Sequence, residues 1–340
     1  MNKYFKFFLF FILCCAKLSA QTKIPVLFAH GFGGSKTRRL LYTKGYEQLV
    51  SFFYQEKKTT PAQQHFLFDR AHHRVIGFNF SDIHLDLGIY GSVPNPLATH
   101  LAQHDDIKTL HENLENIPEH TVIGFGVSRG AATWLTMLGS KKTSKKLALV
   151  ILESPFANSR DVFLFNTLRE IVAGARLIFP TLDVEKTSNA LFQSLFQTHQ
   201  PTGIQPIDSL DYIDKSVPIF LVHSAQDGVI PLNHSRALYI KLREYGHQHA
   251  YLLELTDGDH AGLLWSTQSD LYCAAVNALY KRYGLPYDAA LAQKSDLGLL
   301  QPSITEVKRR MKTQAIIKNY SGVTRPDNNS GIQLGLNIPL

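Results

Sequence analysis

The chain has 340 residues, 44% of them hydrophobic and 19% charged, with a formal charge of +7 at pH 7. That length and apolar fraction suffice for one large α/β domain or two small ones and exclude a chain disordered as a whole. The mild basic excess is scattered, and no basic stripe interleaves with aromatic residues, so a solvated surface accounts for it better than nucleic-acid binding.

The first twenty residues differ from the rest. Lys3 and Lys6 form a basic start, 7–16 is an unbroken apolar run, and Leu18-Ser19-Ala20 resembles a small-residue cleavage site. An export signal removed after Ala20 is expected, with the mature protein periplasmic or secreted. A membrane anchor is the rival, but a spanning helix needs about 20 apolar residues, and Lys17 ends this run early. Lipid attachment at Cys14 or Cys15 is a further alternative, although neither follows the small residue such a signal usually shows. Cleavage would leave Cys273 as the sole cysteine, without an internal disulfide. It would also remove Lys3, Lys6 and Lys17, lowering the formal +7 by three to +4.

Along the chain, short apolar runs alternate with helical patterns. Strands are expected at 24–29 (IPVLFA), 74–80 (RVIGFNF), 121–125 (TVIGF), 147–152 (LALVIL), 217–222 (VPIFLV) and 250–255 (AYLLEL). Near-continuous apolarity suits strands buried on both faces of a parallel sheet. Helices are expected over 95–114, 131–138, 233–245 and 268–283. This alternation predicts a doubly wound α/β sheet, with ligands bound beyond the carboxyl ends of the strands.

Residues 155–215 interrupt the alternation. They are rich in aromatics (Phe156, Phe163, Phe165, Phe179, Phe192, Phe196) and read as a helical insertion over the strand ends. The insertion either lines an apolar substrate pocket or simply covers the sheet. After Tyr283 the pattern weakens into a tail, 284–340, in which Ser303-Ile304-Thr305-Glu306 is a capping box opening a basic helix to about Lys318. Packing of that helix on the domain edge is expected, with contact to a membrane surface as the alternative.

Four strand ends carry chemistry. His30-Gly31-Phe32-Gly33-Gly34 follows the first strand, and its glycines let backbone N–H groups face a cleft, as an oxyanion requires. Gly126-Val127-Ser128-Arg129-Gly130 lies between a buried strand and a helix, where a strained serine needs small residues two positions to either side. Asp227 stands in the loop HSAQDGVIP, able to orient an imidazole or merely to cap a helix. His260 lies in GDHAG, where small neighbours would leave a base free to swing between nucleophile and leaving group.

With these motifs in chain order, the sequence resembles the α/β hydrolases over roughly 24–283. The segment 217–255 is similar to the closing part of dienelactone-hydrolase-like and prolyl-oligopeptidase-like members, with Ser224 where a glycine is frequent. The resemblance implies a mostly parallel sheet with a helical cap (155–215) after the sixth core strand of that fold. It also implies a serine hydrolase in which Ser128 is the nucleophile, His260 the base and Asp227 its orienting acid. The N–H groups of Phe32 and Arg129 would bind the oxyanion, and no cofactor or metal is required. The expected substrate is a small-molecule or lipid-like acyl compound, a carboxylic ester first and a peptide bond second.

Glu153, ending LALVILE, is a rival for the acid. It also stands where a dinucleotide-binding domain would place its ribose carboxylate after Gly124, Gly126 and Gly130, although the glycine spacing is one residue too long. His100, His104, Asp105 and His111 suggest a metal site by spacing alone, without the glutamate of the zinc-protease motif. A binding protein that keeps the fold without chemistry is the last alternative, and the complete Ser, Asp and His set argues against it.

Overall fold

The computed structural model describes residues 23–31, 67–68, 72–80, 84–86, 92–94, 102, 104–159 and 204–320, with separate positions between 162 and 190. Residues 1–20, where an export signal is expected, Phe32-Gly33-Gly34, His100 and most of 155–215 lie outside the described residues.

Six strands, β1 (Ile24–Ala29), β2 (His73–Gly77), β5 (Thr121–Val127), β6 (Lys146–Glu153), β7 (Ile219–Ser224) and β8 (Ala250–Leu255), form one parallel sheet in the order β2-β1-β5-β6-β7-β8. Between β2 and β5 a separate antiparallel pair, β3 (His84–Asp86) with β4 (Ser92–Pro94), was not foreseen. Three-residue strands are too short to leave a readable alternation.

Alternation explains why the other runs are apolar throughout. Leu27, Ala29, Val150, Leu152, Ile219, Leu221 and Leu252 point to one face. Val26, Phe28, Leu149, Ile151, Phe220, Val222 and Leu253 point to the other. Each face needs its own cover. The first is covered by α1 (His104–Glu115), α2 (Arg129–Ser140), the single turn α3 (Pro206–Ser209) and α4 (Asn233–Glu244). The second is covered by α5 (Ser269–Arg282), including the buried Cys273, and by α6 (Ala289–Ala292).

The helices expected over 131–138, 233–245 and 268–283 are present with ends shifted by one or two residues; of the helix expected over 95–114, α1 covers 104–115, while 95–101 and 103 lie outside the described residues. Strand ends moved in a more informative way. β5 continues through Gly126 and Val127 up to the serine, and β7 includes His223 and Ser224, so the acid loop is shorter than its motif suggested. β2 stops at Gly77, after which Phe78 and Phe80 remain buried outside the sheet.

Helix α2 is buried over residues 129–138, as a helix apolar on all sides must be. Its hydroxyls are satisfied internally: Thr133 Oγ1 donates to Arg129 O at 2.7 Å and Thr136 Oγ1 to Ala132 O at 3.0 Å.

Residues beyond Tyr283, read from the sequence as a tail, extend the packed body. Leu285, Leu291 and Leu300 join the second core cluster. Leu252 N, on the outer strand β8, donates to Leu300 O at 2.8 Å, and Gln301 Nε2 donates to Gln248 O at 2.7 Å and Ala250 O at 3.3 Å. The final helix α7 (Ile304–Tyr320) begins at its capping serine, with Glu306 N donating to Ser303 Oγ at 3.1 Å. It seats Val307 in the core beside α4, and Lys308 Nζ lies 3.1 Å from Glu244 Oε1. No helix among the described residues is long and apolar enough to cross a membrane.

Candidate active site

Ser128 stands between β5 and α2 at φ 53° and ψ −116°, a backbone conformation costly for a residue with a side chain. The surrounding small residues make that turn possible, though their collision partners are not the serine itself. A Cβ on Gly126 would lie 2.7 Å from the Trp134 ring and 2.8 Å from the Ala131 backbone; one on Gly130 would lie 2.0 Å from Ala29 O. The glycines therefore let α2 press against β5 and β1, which forces the sharp turn. Such close helix-to-strand packing is common to a dinucleotide-binding turn; what the nucleophile reading adds is the strained serine at its apex.

The residue after the serine is held by its side chain. Arg129 Nε and Nη2 donate to Asp106 Oδ2 and Oδ1 at 2.7 and 2.5 Å, deep in the protein. Asp106 Oδ2 also accepts from Ala102 N at 2.9 Å, and the guanidinium lies 4.7 Å from the centre of the Phe80 ring. The guanidinium is thus occupied in anchoring α1 to the turn.

On the other side of the turn lies the glycine loop after β1. A Cβ on Gly31 would stand 3.5 Å from Ser128 Cβ, so this loop abuts the serine. His30 fixes the loop's base: Nδ1 donates to Gly31 O at 2.8 Å, and Nε2 accepts from Phe80 N at 3.2 Å. Phe32, the other expected oxyanion donor, lies outside the described residues.

Asp227 and His260 meet, although 33 residues separate them. His260 Nδ1 donates to Asp227 Oδ2 at 2.8 Å. Oδ1 accepts from Val229 N and Ile230 N at 2.9 and 2.8 Å. Burial pushes the Asp227 carboxyl up, but the imidazoles of His223 and His260 outweigh it and hold the group well below the usual carboxylate range. Ser224, the departure from the usual glycine, supports the loop: its Oγ accepts from Gln226 N at 3.0 Å and its carbonyl from Asp227 N at 3.3 Å.

Glu153 is fully buried at the end of β6, between these two halves. Its carbonyl accepts from Ser128 N at 2.8 Å, while Oε1 accepts from Leu263 N at 3.3 Å and Oε2 from Tyr272 Oη at 3.4 Å. His260 therefore pairs with Asp227, and Glu153 braces the histidine loop from beneath. That loop is tied down more than its small residues suggested. Gly262 N donates to Asp259 O at 3.0 Å, and Asp257 Oδ2 accepts from Thr267 N and Oγ1 at 2.9 and 2.7 Å.

Of the residues of the metal alternative, His100 lies outside the described residues. His104 is exposed beside Asp105, His111 Nε2 is 2.9 Å from Lys142 O, and no group of three or more metal-binding side chains occurs among the described residues.

A parallel sheet in this order carries a strained serine after an inner strand. Beyond that strand, Asp227 and His260 follow β7 and β8. The chain has the α/β-hydrolase fold.

No protein-family model and no curated protein matches the sequence. Among solved structures, an esterase of Pyrococcus furiosus is similar, with 15% identity, 76% of this chain and 83% of that chain covered, and a TM-score of 0.46. An α/β-hydrolase enzyme from a Medee basin deep-sea metagenome library has 15% identity, 78% and 92% coverage and a TM-score of 0.46. An acylaminoacyl peptidase of Pyrococcus horikoshii has 11% identity, with 85% of this chain but 40% of that chain covered and a TM-score of 0.45.

Proposed function

We propose that the protein is an exported serine hydrolase that cleaves carboxylic esters through an acyl-enzyme. The observation that carries this reading is the hydrogen bond from His260 Nδ1 to Asp227 Oδ2. With the proton on Nδ1, the neutral ring keeps Nε2 free of one, the state a general base requires.

In this mechanism Ser128 Oγ attacks the acyl carbon while His260 Nε2 removes its proton. The N–H groups of Phe32 and Arg129 hold the tetrahedral oxyanion, an effect worth roughly 3 kcal/mol per donor. Collapse expels the alcohol, which takes the proton back from His260 and leaves the acyl group on Ser128. Water then repeats the sequence, with His260 again as base, and releases the carboxylic acid.

Labelling with a fluorophosphonate tests the nucleophile. Wild-type protein is expected to label and Ser128→Ala to remain unlabelled; an unlabelled wild type, or equal labelling of both, overturns the reading. A panel of p-nitrophenyl esters beside aminoacyl and peptidyl anilides tests the bond cleaved, and faster anilide turnover would replace the esterase with a peptidase. Export is checked by sequencing the amino terminus of the secreted protein, expected to start at Gln21.

A further inference from the structure

A second histidine serves the acid loop. His223, next to last in β7, is fully buried. Its Nε2 lies 2.8 Å from Ile230 O. A carbonyl only accepts, so that nitrogen carries the proton. Nδ1, 2.7 Å from Ser235 Oγ on α4, then accepts from the hydroxyl in the neutral ring. The N–H edge of His223 also lies 3.3 Å from Asp227 Oδ2, the oxygen that receives the proton of His260.

Ile230 links these contacts. Its N–H holds Asp227 Oδ1 at 2.8 Å, while its carbonyl is held by His223. His223 thus closes the loop across its neck, and α4 fixes His223 through Ser235. Nearby His234 adds no positive charge at neutral pH, because burial pushes it down to about 3; its Nδ1 accepts from Ala157 N at 3.2 Å.

Resting on the proposed serine hydrolase, we propose that His223 is a positioning residue. Through Ile230 and Asp227 Oδ2 it sets the plane of the carboxylate that orients His260. The group acts without touching substrate. Outer-shell partners that orient metal-bound imidazoles commonly carry about 10- to 100-fold in activity, and an effect of the same order is expected for a partner that orients His260 through Asp227.

The test compares wild type, His223→Leu and His223→Gln in ester turnover and in the rate of fluorophosphonate labelling. In folded protein, His223→Leu is expected to lose about 10- to 100-fold in kcat and in labelling rate, with KM changed less than about twofold. A glutamine amide reaches nearly as far as Nε2 and is expected to restore most of that loss. Wild-type kcat in folded His223→Leu, or a loss confined to KM, overturns the proposal. Nitrogen-15 spectra of histidine in the wild-type protein decide the matter even if a variant fails to fold. They are expected to show the Nε2–H tautomer at His223 and Nδ1–H at His260, and an Nδ1–H tautomer at His223 refutes the assignment. Failure of the serine-hydrolase reading is distinguishable, because the wild type itself would then not label.

Discussion

The serine turn and the acid–histidine pair, at the same edge of one sheet, are fixed by different physics. At the turn, side chains are missing where backbone must approach backbone: Gly126 and Gly130 admit α2, and the strain falls on Ser128. Around Asp227, hydrogen bonds do the fixing. Its two oxygens receive Val229 N, Ile230 N and His260 Nδ1, with His223 Nε2 close by. Exclusion fails when an atom is added, whereas a polar network fails when a donor or an acceptor is exchanged.

Exchanging an acceptor in the network should have the largest effect. Asp227→Asn keeps the shape but puts a donor where one is already present, favouring the wrong tautomer of His260. A fall in kcat of roughly 10⁴-fold is expected, equivalent to about 5 kcal/mol. A kcat within tenfold of wild type would return the acid role to Glu153.

Adding one carbon at the turn comes next. Gly130→Ala drives a methyl group into Ala29 O and should cost about 3 kcal/mol or more in urea unfolding. Unchanged stability would mean that α2 does not need its close approach to β1.

The network's smaller cost appears in acid. Burial lowers His234 to about 3, so the folded protein keeps it neutral while the unfolded chain protonates below about 6.5. Its contribution is complete above that value and is lost as pH falls toward 3. At about pH 4.5 the loss is about 2 to 3 kcal/mol relative to pH 7. His234→Gln, which retains an acceptor for Ala157 N, should show none of that component in paired urea titrations.

The smallest effect sharpens the contrast. Apart from its two chain neighbours, no residue places a heavy atom within 4 Å of a Cβ built on Gly228, next to Asp227. Gly228→Ala should therefore change stability by less than about 0.5 kcal/mol and leave kcat unaltered, although Gly130→Ala is the same chemical change.

Much of this was legible in the sequence because it is local. Apolar runs marked the six sheet strands, and the glycine spacing marked Ser128. The choice between Asp227 and Glu153 was only half legible: both end near strand termini, and only the fold shows which carboxylate meets His260. Pairings between distant positions left no periodic signal. Asp106 and Arg129 are 23 residues apart, and nothing in either neighbourhood announces a buried ion pair. His223 did leave a trace. It continues the alternation of Ile219 and Leu221 toward α4, and a polar residue on a core-facing position must find partners.

The contact between Leu252 and Leu300 has a consequence for solution behaviour. β8 is an outer strand, and an outer strand with open amides is a template on which a second chain can assemble. Leu300 and Gln301 answer groups of that strand from within the same molecule. A chain cut after Arg282 would expose them, so the residues beyond the last sheet strand guard the protein against its own copies.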